Sequence, residues 1–212
     1  MLIIGIAGGA GSGKTTVVKK IIERLPKDAV AVLEQDAYYR DSSHLPMEER
    51  QLINFDHPES VEFDLLFNHL YKLSEGETIE QPVYSYSDYA RMKETVKVEP
   101  KPIIIVEGIL VLSQPYLREI MGLKVFVDAE ADDRLIRVIH RDVFKRGRNV
   151  DQILQRYEAT VKPMHLQFIE PTKRYADLIV PQGGKNHVAI DILSTSILHK
   201  ISDKEKLREK EY

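Results

Sequence analysis

The stretch Leu2-Ile3-Ile4-Gly5-Ile6-Ala7, followed at once by Gly8-Gly9-Ala10-Gly11-Ser12-Gly13-Lys14-Thr15, decides how this chain folds. The first six residues are apolar and rich in isoleucine, which is typical of a strand that is covered on both faces. The next eight residues match the pattern G-x-x-x-x-G-K-[ST], and an amphipathic stretch of helical length follows them directly. A strand, a glycine-rich loop and a helix in this order are the structural context in which this pattern forms a P-loop.

The residue types of the P-loop predict that it binds nucleotide phosphates. Glycines allow the backbone N–H groups to turn inward, and the positive end of the following helix attracts anions. Lys14 would reach the β- and γ-phosphates, and Thr15 would offer its hydroxyl to Mg²⁺. The alternative is a glycine-rich turn with an ordinary surface lysine, which does not require the flanking strand and helix. We therefore predict nucleotide contacts from Gly8, Gly9, Ala10, Gly11, Ser12, Gly13, Lys14, Thr15 and Thr16.

Further apolar runs predict the rest of a sheet. They lie at 29–33, 103–106, 123–127 and 178–180. Between them, amphipathic stretches predict helices near 15–25, 60–73, 131–146, 150–170 and 188–201. Short buried strands that alternate with helices predict an α/β protein of the P-loop NTPase fold, with a doubly wound, parallel, five-stranded sheet. We expect residues 1–212 to form a single domain, because a chain of this length suits one large core.

One segment, 78–100, departs from the α/β pattern because its apolar residues alternate with polar ones. This alternation predicts an antiparallel β-hairpin added to the main sheet. Its tyrosines at 84, 86 and 89 would form a wall for a ligand, or else simply pack a half-buried hairpin. The mostly charged residues 203–212 are expected to be a helical extension or a frayed tail.

Composition excludes several classes of function. The chain has 30 Lys and Arg against 33 Asp and Glu, so its formal charge of -3 gives no sign of nucleic-acid binding. It contains no Cys, which excludes disulfides, thiolate metal sites and a thiol nucleophile. No signal-peptide pattern and no apolar run near the ~18 residues of a membrane span are present. We expect a cytoplasmic protein without nucleic-acid or membrane partners.

Two acidic residues at strand ends are candidates for phosphoryl-transfer chemistry. Glu107 follows the apolar run 103–106, where a carboxylate can hold Mg²⁺, although an acid after a strand is often only a helix cap. Asp36 follows the second run, and we expect it beside the strand that carries the P-loop, facing the γ-phosphate. There it could accept a proton from an attacking hydroxyl, or it could simply form a turn. The predicted metal ligands are Thr15, Asp36 and Glu107.

Arginines crowd the segment 131–150, which we call the lid segment. They are Arg134, Arg137, Arg141, Arg146 and Arg148. The first three share a helical face, and Gly147 would supply a hinge at the helix end. A basic lid that closes over phosphates would stabilise transition-state charge and exclude water. The alternative is a solvated basic face paired with Asp132, Asp133 and Asp142.

Together these motifs resemble the uridine-cytidine kinase family, within the phosphoribulokinase and uridine kinase group of P-loop proteins. The resemblance runs from about residue 3 to residue 201. Besides the P-loop, it rests on Gln35-Asp36-Ala37-Tyr38-Tyr39-Arg40, Asn54-Phe55-Asp56-His57-Pro58, Pro82-Val83-Tyr84, Glu107-Gly108-Ile109-Leu110, Arg146-Gly147-Arg148, Val161-Lys162-Pro163 and Pro171-Thr172-Lys173-Arg174-Tyr175-Ala176-Asp177. So many blocks in order are more specific than a P-loop alone.

The resemblance implies ATP-dependent phosphorylation of the 5′-hydroxyl of a pyrimidine ribonucleoside, by a homotetramer that acts in nucleotide salvage. It implies that Asp36 is the general base and Mg²⁺ partner, that Lys14, Arg141 and Arg146 serve catalysis, and that Asp56 holds the ribose hydroxyls. The nucleoside-binding residues it implies are Tyr39, Phe55, Asp56, Tyr84, Tyr86, Tyr89, Arg148 and Tyr157. The sequence leaves open whether the donor is ATP or GTP. The loop 181–185 is a candidate for the adenine.

The chain departs from the family at two positions. Tyr89 stands where members that accept both uridine and cytidine usually carry His, and a phenol presents other hydrogen-bonding geometry to the base edge. We hypothesise that cytidine is preferred over uridine, the alternative being that Tyr89 merely fills space. Val138 stands where many relatives continue an Arg-Arg doublet after Arg137, so one basic group near the site is missing.

Two other classes of protein compete with this interpretation. A related P-loop kinase could act on pantothenate or ribulose 5-phosphate, but the aromatic wall suits a flat base better than a small anionic sugar. A GTP-hydrolysing switch would require a guanine-reading Asn-Lys-x-Asp, for which Lys185-Asn186-His187 is a poor substitute.

Overall fold

The structure is a computed structural model that describes residues 1–26 and 28–209. Its main sheet has five parallel strands, as the sequence predicts. These strands are β1 (Leu2–Ala7), β2 (Val30–Glu34), β5 (Ile103–Glu107), β6 (Leu123–Asp128) and β7 (Leu178–Pro181). They lie in the order β2-β5-β1-β6-β7, which places the P-loop strand at the centre.

Two apolar layers cover the sheet, one on each face. Along β1, Ile4 and Ile6 pack into one layer, whereas Ile3 and Ala7 pack into the other, since successive side chains of a strand point to opposite faces. All six residues of β1 and all five of β5 are buried. Continuous apolar runs, rather than alternating ones, are therefore what a central parallel strand requires.

The helices lie close to their predicted positions, with differences at their ends. They are α1 (Lys14–Ile22), α2 (Met47–Leu52), α3 (Phe63–Ser74), α4 (Pro115–Ile120), α5 (Ala131–Arg146), α6 (Val150–Arg156), α7 (Lys162–Met164) and α8 (His187–Glu209). The short helices α2 and α4 are not among the predicted ones. Within the described ranges, no helix is both long and apolar enough to cross a membrane.

Local hydrogen bonding explains where two helices differ from prediction. The N–H groups of Arg24 and Leu25 bond three residues back, to Ile21 and Ile22, so α1 tightens into a turn instead of continuing to residue 25. The expected start of α3 near residue 60 belongs to a 3₁₀ turn, Pro58–Ser60. Of the charged tail predicted at 203–212, the part up to 209 continues α8, and 210–212 lie outside the described residues.

The helix predicted over 150–170 is continuous but not uniformly α-helical. Two π-helical segments, Tyr157–Val161 and His165–Ile169, flank α7. Pro163 lies in α7, and a proline inside a helix removes one backbone donor and disturbs the preceding turn. Wider π turns on both sides of a proline accommodate this disturbance, and such turns are frequent at functional sites.

The predicted hairpin in 78–100 is present as a separate two-stranded antiparallel sheet. Its strands are β3 (Ile79–Ser85) and β4 (Ala90–Val98), paired from Ile79 opposite Val98 to Ser85 opposite Ala90. The pairing is irregular between Pro82 and Tyr84. β3 lies against the 3₁₀ turn Gln35–Tyr38 that follows β2. The hairpin therefore borders the carboxyl ends of the main strands, which is where ligands bind in open α/β sheets.

Candidate active site

The P-loop connects β1 to α1 and has a backbone that only glycine adopts readily. Gly11 and Gly13 have φ angles of 77° and 97°, in the left-handed region. A Cβ atom at Gly11 would lie 2.3 Å from the backbone oxygen of Arg134. The glycines thus permit both the turn itself and its close contact with α5.

The side chains of Lys14 and Thr15 both lie near the Glu107 carboxylate. The Lys14 Nζ donates a hydrogen bond to the Gly9 oxygen at 3.2 Å, so the ammonium folds back into the loop. The Thr15 Oγ1 donates to Glu107 Oε2 at 3.1 Å. Burial lowers the pKa of Lys14, and the carboxylates of Glu107 and Asp36 oppose that shift. One partly buried cation therefore faces two carboxylates.

Glu107 reaches this position because β5 lies beside β1. It is the last residue of β5 and pairs with Ile6 of β1 on one side and Glu34 of β2 on the other. Burial raises its pKa, whereas Lys14 and the hydrogen bond from Thr15 act in the opposite direction. Its carboxylate therefore lies against the P-loop, where it accepts the hydrogen bond from Thr15.

Asp36 lies near the P-loop, but its strand does not lie next to the P-loop strand as we expected from the sequence. Its strand β2 is not the neighbour of β1, because β5 lies between them. The buried Gln35 accepts a hydrogen bond from the backbone of Leu110 at 2.7 Å and so ties the turn after β2 to the loop after β5. A Cβ at Gly108 would lie 2.3 Å from the Cβ of Gln35, so this contact requires glycine at 108. The turn brings Asp36 within electrostatic range of Lys14.

The donor set formed by Thr15, Glu107 and Asp36 fits Mg²⁺. This ion is held in nucleotide sites by one or two carboxylates and completes its shell with water and phosphate oxygens. Thr15 and Glu107 are within a hydrogen bond of each other, and Asp36 faces the same lysine. No group of three or more histidine or acidic side chains that could hold a metal was found among the residues that the structure describes.

Five predicted nucleoside-binding residues come together as an aromatic cluster. Tyr39 lies 5.0 Å from Phe55 and 5.1 Å from Tyr84, measured between ring centroids. Tyr84 in turn lies 5.4 Å from Tyr86, and Phe55 lies 6.2 Å from Tyr89. Edge-to-face contacts dominate, the geometry that aromatic rings prefer. Residues from three separate segments thus form one wall next to Asp36.

The tyrosines are not equivalent within this cluster. The Tyr86 hydroxyl donates a hydrogen bond to Asp36 Oδ2 at 2.6 Å. Burial, reinforced by the nearby Asp36 carboxylate, raises the pKa of Tyr86 well above its usual value, so the phenol remains a donor. Tyr39 is buried, and burial raises its pKa as well. Tyr157, the remaining predicted residue, shows no ring contact with the cluster in the described part of the chain.

Asp56 is a buried acid with an arginine partner that our sequence reasoning missed. Burial raises its pKa, and Arg156 is the main opposing charge, with an Nη2 to Oδ2 distance of 3.9 Å. Asp56 also acts electrostatically on Lys14. The carboxylate therefore lies between the P-loop lysine and α6, on the side of the aromatic cluster.

The arginines of α5 divide into two groups. Arg134 is buried, and Arg137 donates hydrogen bonds to the backbone oxygens of Gly11 and Ser12 at 3.3 and 3.2 Å. These two side chains support the outside of the P-loop. Arg141, Arg146 and Arg148 instead gather around Asp142 near the hairpin.

The end of the lid segment contacts the hairpin directly. The Arg146 guanidinium lies 4.3 Å above the ring of Tyr86, and Arg148 Nη2 donates to the Tyr89 hydroxyl at 2.9 Å. Gly147, between them, has a φ of 62° and ends α5 in the left-handed conformation. Val138, where a further arginine was expected from the family pattern, is buried on the same helix.

Sequence reasoning also missed a buried histidine behind the P-loop. His165 lies in a π-helical segment, with its Nε2 3.3 Å from Glu170. A Cβ at Gly9 would lie 3.0 Å from its Nδ1. Burial lowers the pKa of His165 to about 4, and Arg134 adds to the shift. Its position in the block between Pro163 and Pro171 carried no signal of this contact.

The chain is similar to known proteins over most of its length. The sequence pattern of the phosphoribulokinase / uridine kinase family matches residues 3–189. A protein named uridine kinase from Oceanobacillus iheyensis is 53% identical over 196 residues, covering 92% of this chain and 93% of that protein.

Solved structures show the fold. A structure described as a possible uridine kinase from Bacillus stearothermophilus has a TM-score of 0.57 at 21% identity, covering 84% of this chain and 88% of the other. D-glycerate 3-kinase from Cryptococcus neoformans has a TM-score of 0.62 at 15% identity, covering 81% of this chain and 80% of the other.

Proposed function

The chain belongs to the phosphoribulokinase / uridine kinase family, and from that premise we propose that it transfers the γ-phosphoryl group of ATP to the 5′-hydroxyl of a pyrimidine ribonucleoside. The observation that carries the proposal is the aromatic cluster beside Asp36, since Tyr86 joins the two by a hydrogen bond of 2.6 Å. Aromatic faces suit a flat base, and a carboxylate at their edge suits the hydroxyl that attacks the phosphate.

In this proposal Asp36 is the general base. The 5′-oxygen forms a bond to the γ-phosphorus, the bond from that phosphorus to the β,γ-bridging oxygen breaks, and the hydroxyl proton passes to Asp36. Lys14, Arg141 and Arg146 stabilise the charge on the transferring group and on the leaving ADP. The position of Lys14 supports its role, because this partly buried ammonium lies within electrostatic range of both Asp36 and Arg141.

We propose that Thr15, Asp36 and Glu107 hold Mg²⁺. When bound there, the ion would neutralise part of the charge on the nucleotide phosphates. The hydrogen bond from Thr15 to Glu107 supports the assignment, because it places a hydroxyl and a carboxylate on the same side of the P-loop.

The nucleoside would lie between the hairpin and the turn after β2. Asp56 would accept hydrogen bonds from the ribose hydroxyls, and the charge of its partner Arg156 favours the carboxylate form against the pKa-raising effect of burial. Phe55, Tyr84 and Tyr86 would pack on the base, Arg148 would approach its edge, and Tyr157 would complete the wall.

The preference between cytidine and uridine is assigned to Tyr89. Its hydroxyl oxygen already accepts from Arg148, and it keeps one lone pair and one proton for the base. We propose that, with Arg148 fixing the hydroxyl, its remaining lone pair rather than its proton faces the base and accepts from the cytosine amino group, so that cytidine is preferred. Comparable kcat/KM values for the two nucleosides would contradict this preference, whereas a gain of uridine activity in Tyr89→His would support it.

The loop 181–185 is the proposed contact for the adenine of ATP. It packs on the P-loop side of the sheet, since a Cβ at Gly184 would lie 2.3 Å from Thr16 Cγ2. GTP is the alternative donor, and a comparison of the two nucleotides at equal nucleoside concentration distinguishes them.

The assembly and setting follow the family resemblance. We propose a homotetramer that acts in pyrimidine salvage in the cytoplasm. Light scattering coupled to size exclusion should then give about four times the 24.4 kDa of one chain. A mass near that of a single chain would contradict the tetramer.

The decisive experiment is an acceptor panel with ATP and Mg²⁺, scored by kcat/KM. Cytidine and uridine should be phosphorylated far better than pantothenate or ribulose 5-phosphate, and formation of ADP should require an acceptor. Preference for either of the other acceptors would assign a related kinase. ADP formation that does not depend on any acceptor would assign a P-loop switch or motor.

A further inference from the structure

Asp142 is a buried carboxylate at the centre of the lid arginines. It is 3% exposed, and it shares the buried face of α5 with Arg134 and Val138 at four-residue spacing. Its oxygens accept from Arg141 Nε at 2.7 Å and from Arg148 Nη1 at 3.1 Å, and one lies 3.4 Å from Arg146 Nη1. Its backbone oxygen also accepts from the Arg148 N–H at 3.0 Å.

Each of the three arginines that contact Asp142 also interacts with another residue of the proposed site. Arg146 stacks on Tyr86, which donates to Asp36, and Arg148 bonds to Tyr89. Arg141 is among the charges that act on Lys14. A single carboxylate is thereby connected through its partners to the P-loop, to Asp36 and to the hairpin.

The charges explain why such a carboxylate is needed. Three guanidinium groups at close range repel one another, and a carboxylate among them offsets the repulsion while fixing the direction of each fork. Arg146 is affected most directly, because burial and the neighbouring Arg141 both lower its pKa. Asp142 is the main charge that opposes this effect on Arg146.

We propose that Asp142 is the positioning residue of the lid segment. It contacts no substrate itself, but it directs Arg141, Arg146 and Arg148 toward the phosphates and the aromatic cluster. This inference rests on the proposed function. It also means that the lid segment and the hairpin respond to ligands as one unit, since Arg146 and Arg148 join them.

The test compares Asp142→Asn, which keeps the shape and removes the charge, with Asp133→Asn. Asp133 is a matched control because it lies on the same helix and pairs with one arginine at 3.6 Å, but its side chain is 58% exposed. We expect kcat/KM for the nucleoside to fall at least about tenfold in Asp142→Asn and less than about twofold in the control. Nucleoside affinity measured calorimetrically without ATP should weaken in the same order.

A second variant separates positioning from charge balance and folding. Asp142→Glu keeps the charge but moves the carboxylate by one methylene, so positioning predicts a several-fold loss of kcat/KM in a chain that melts near the wild-type temperature. Wild-type kcat/KM and affinity in a folded Asp142→Glu or Asp142→Asn variant would overturn the proposal. The double variant of Asp142→Asn and Arg146→Met gives a further test. If its loss of kcat/KM equals the product of the two single losses, the proposal is overturned, because residues that act through one another are not additive.

A spectroscopic measurement keeps the test independent of the proposed function. The chain has no Trp, so its near-UV circular dichroism reports mainly on its 10 tyrosines. Asp142→Asn should change this signal by releasing Tyr86 and Tyr89 from their arginines, whereas Asp133→Asn should not. An unchanged spectrum would overturn the positioning role, while failure of the wild-type chain to phosphorylate any nucleoside would overturn only the proposed function.

Discussion

The P-loop and the lid segment both place basic side chains near Asp36, but different kinds of interaction hold those side chains in position. Lys14 belongs to eight consecutive residues whose path depends on glycines at φ angles of 77° and 97°. The lid arginines depend on a buried carboxylate and on tyrosines far away in sequence, with Arg148 and Tyr89 separated by 59 positions. Local backbone geometry therefore sets the first region, whereas side-chain pairing between distant segments sets the second.

This difference predicts how each region responds to change. Substitutions in the P-loop should abolish its chemistry without affecting the hairpin. Substitutions in the lid or the hairpin should weaken each other's contacts, since they share Arg146 and Arg148.

The largest effect is expected at Lys14. Lys14→Met should lower kcat by about 10²–10³-fold, because it removes a partly buried cation that would oppose the charge developing on the phosphates. Steady-state kinetics with the preferred nucleoside would measure the loss, and the exposed Lys19 in the same helix provides the control Lys19→Met. Equal activities of the two variants would mean that Lys14 takes no part in the proposed reaction.

The next largest effect is expected at Asp36. Asp36→Asn keeps the size of the side chain but cannot accept the hydroxyl proton, so kcat should fall by about 10²-fold or more. Asp41→Asn, in the exposed segment just beyond, should remain near wild type. If Asp36→Asn retains full kcat, the base is another residue and the aromatic cluster loses its catalytic neighbour.

A smaller loss is expected at the point where the two regions meet. Tyr86→Phe keeps the ring under Arg146 but deletes the hydrogen bond to the Asp36 carboxylate, which lies at an exposed position and therefore contributes little to stability. We expect kcat/KM for the nucleoside to fall about tenfold, with the melting temperature nearly unchanged. The exposed Tyr71 supplies the control Tyr71→Phe. Wild-type kinetics in Tyr86→Phe would mean that this hydrogen bond does not serve the reaction.

The smallest effect on activity, but a distinct one on stability, is expected at His165 behind the P-loop. Its folded pKa of about 4 lies below the unfolded value, so the unfolded chain binds the proton more readily between those values. The free energy of unfolding should therefore decrease as pH falls from about 6.5 to 4, by at most about 3 kcal/mol.

Urea unfolding at several pH values would measure this slope. His165→Gln should flatten it, whereas the exposed His187→Gln should leave it unchanged. An identical slope in wild type and His165→Gln would show that the histidine is not held neutral by its surroundings.

The fold was largely predictable because its signals are local. The apolar runs of β1 and β5 report burial on both faces directly, and α5 runs over the predicted residues. The missed elements are α2 and α4, each of six residues, too short for a periodic pattern to stand out. The π turns around Pro163 escaped prediction because they differ from α-helix only in hydrogen bonding.

The candidate site was predictable in its parts more than in its connections. Residue types and spacing pointed to Lys14, Thr15, Glu107 and Asp36, and the roles assigned to them stay predictions. Asp142 and Arg156 were not recognised as site residues, because a charged residue on a helix is ordinarily solvent-exposed. Only the burial of Asp142 and the partners of both residues distinguish them.

By itself, the sequence determined the P-loop, the parallel sheet and the presence of a tyrosine-bearing hairpin, because glycine conformations and hydrophobic periodicity act over a few neighbouring residues. Tertiary structure alone decided that β5 lies between β2 and β1, that Tyr86 donates to Asp36, and that Asp142 gathers three arginines. These contacts join residues that are far apart along the chain. The partner of a charged or hydroxyl group is therefore set by tertiary packing, which also strengthens the interaction by reducing contact with water.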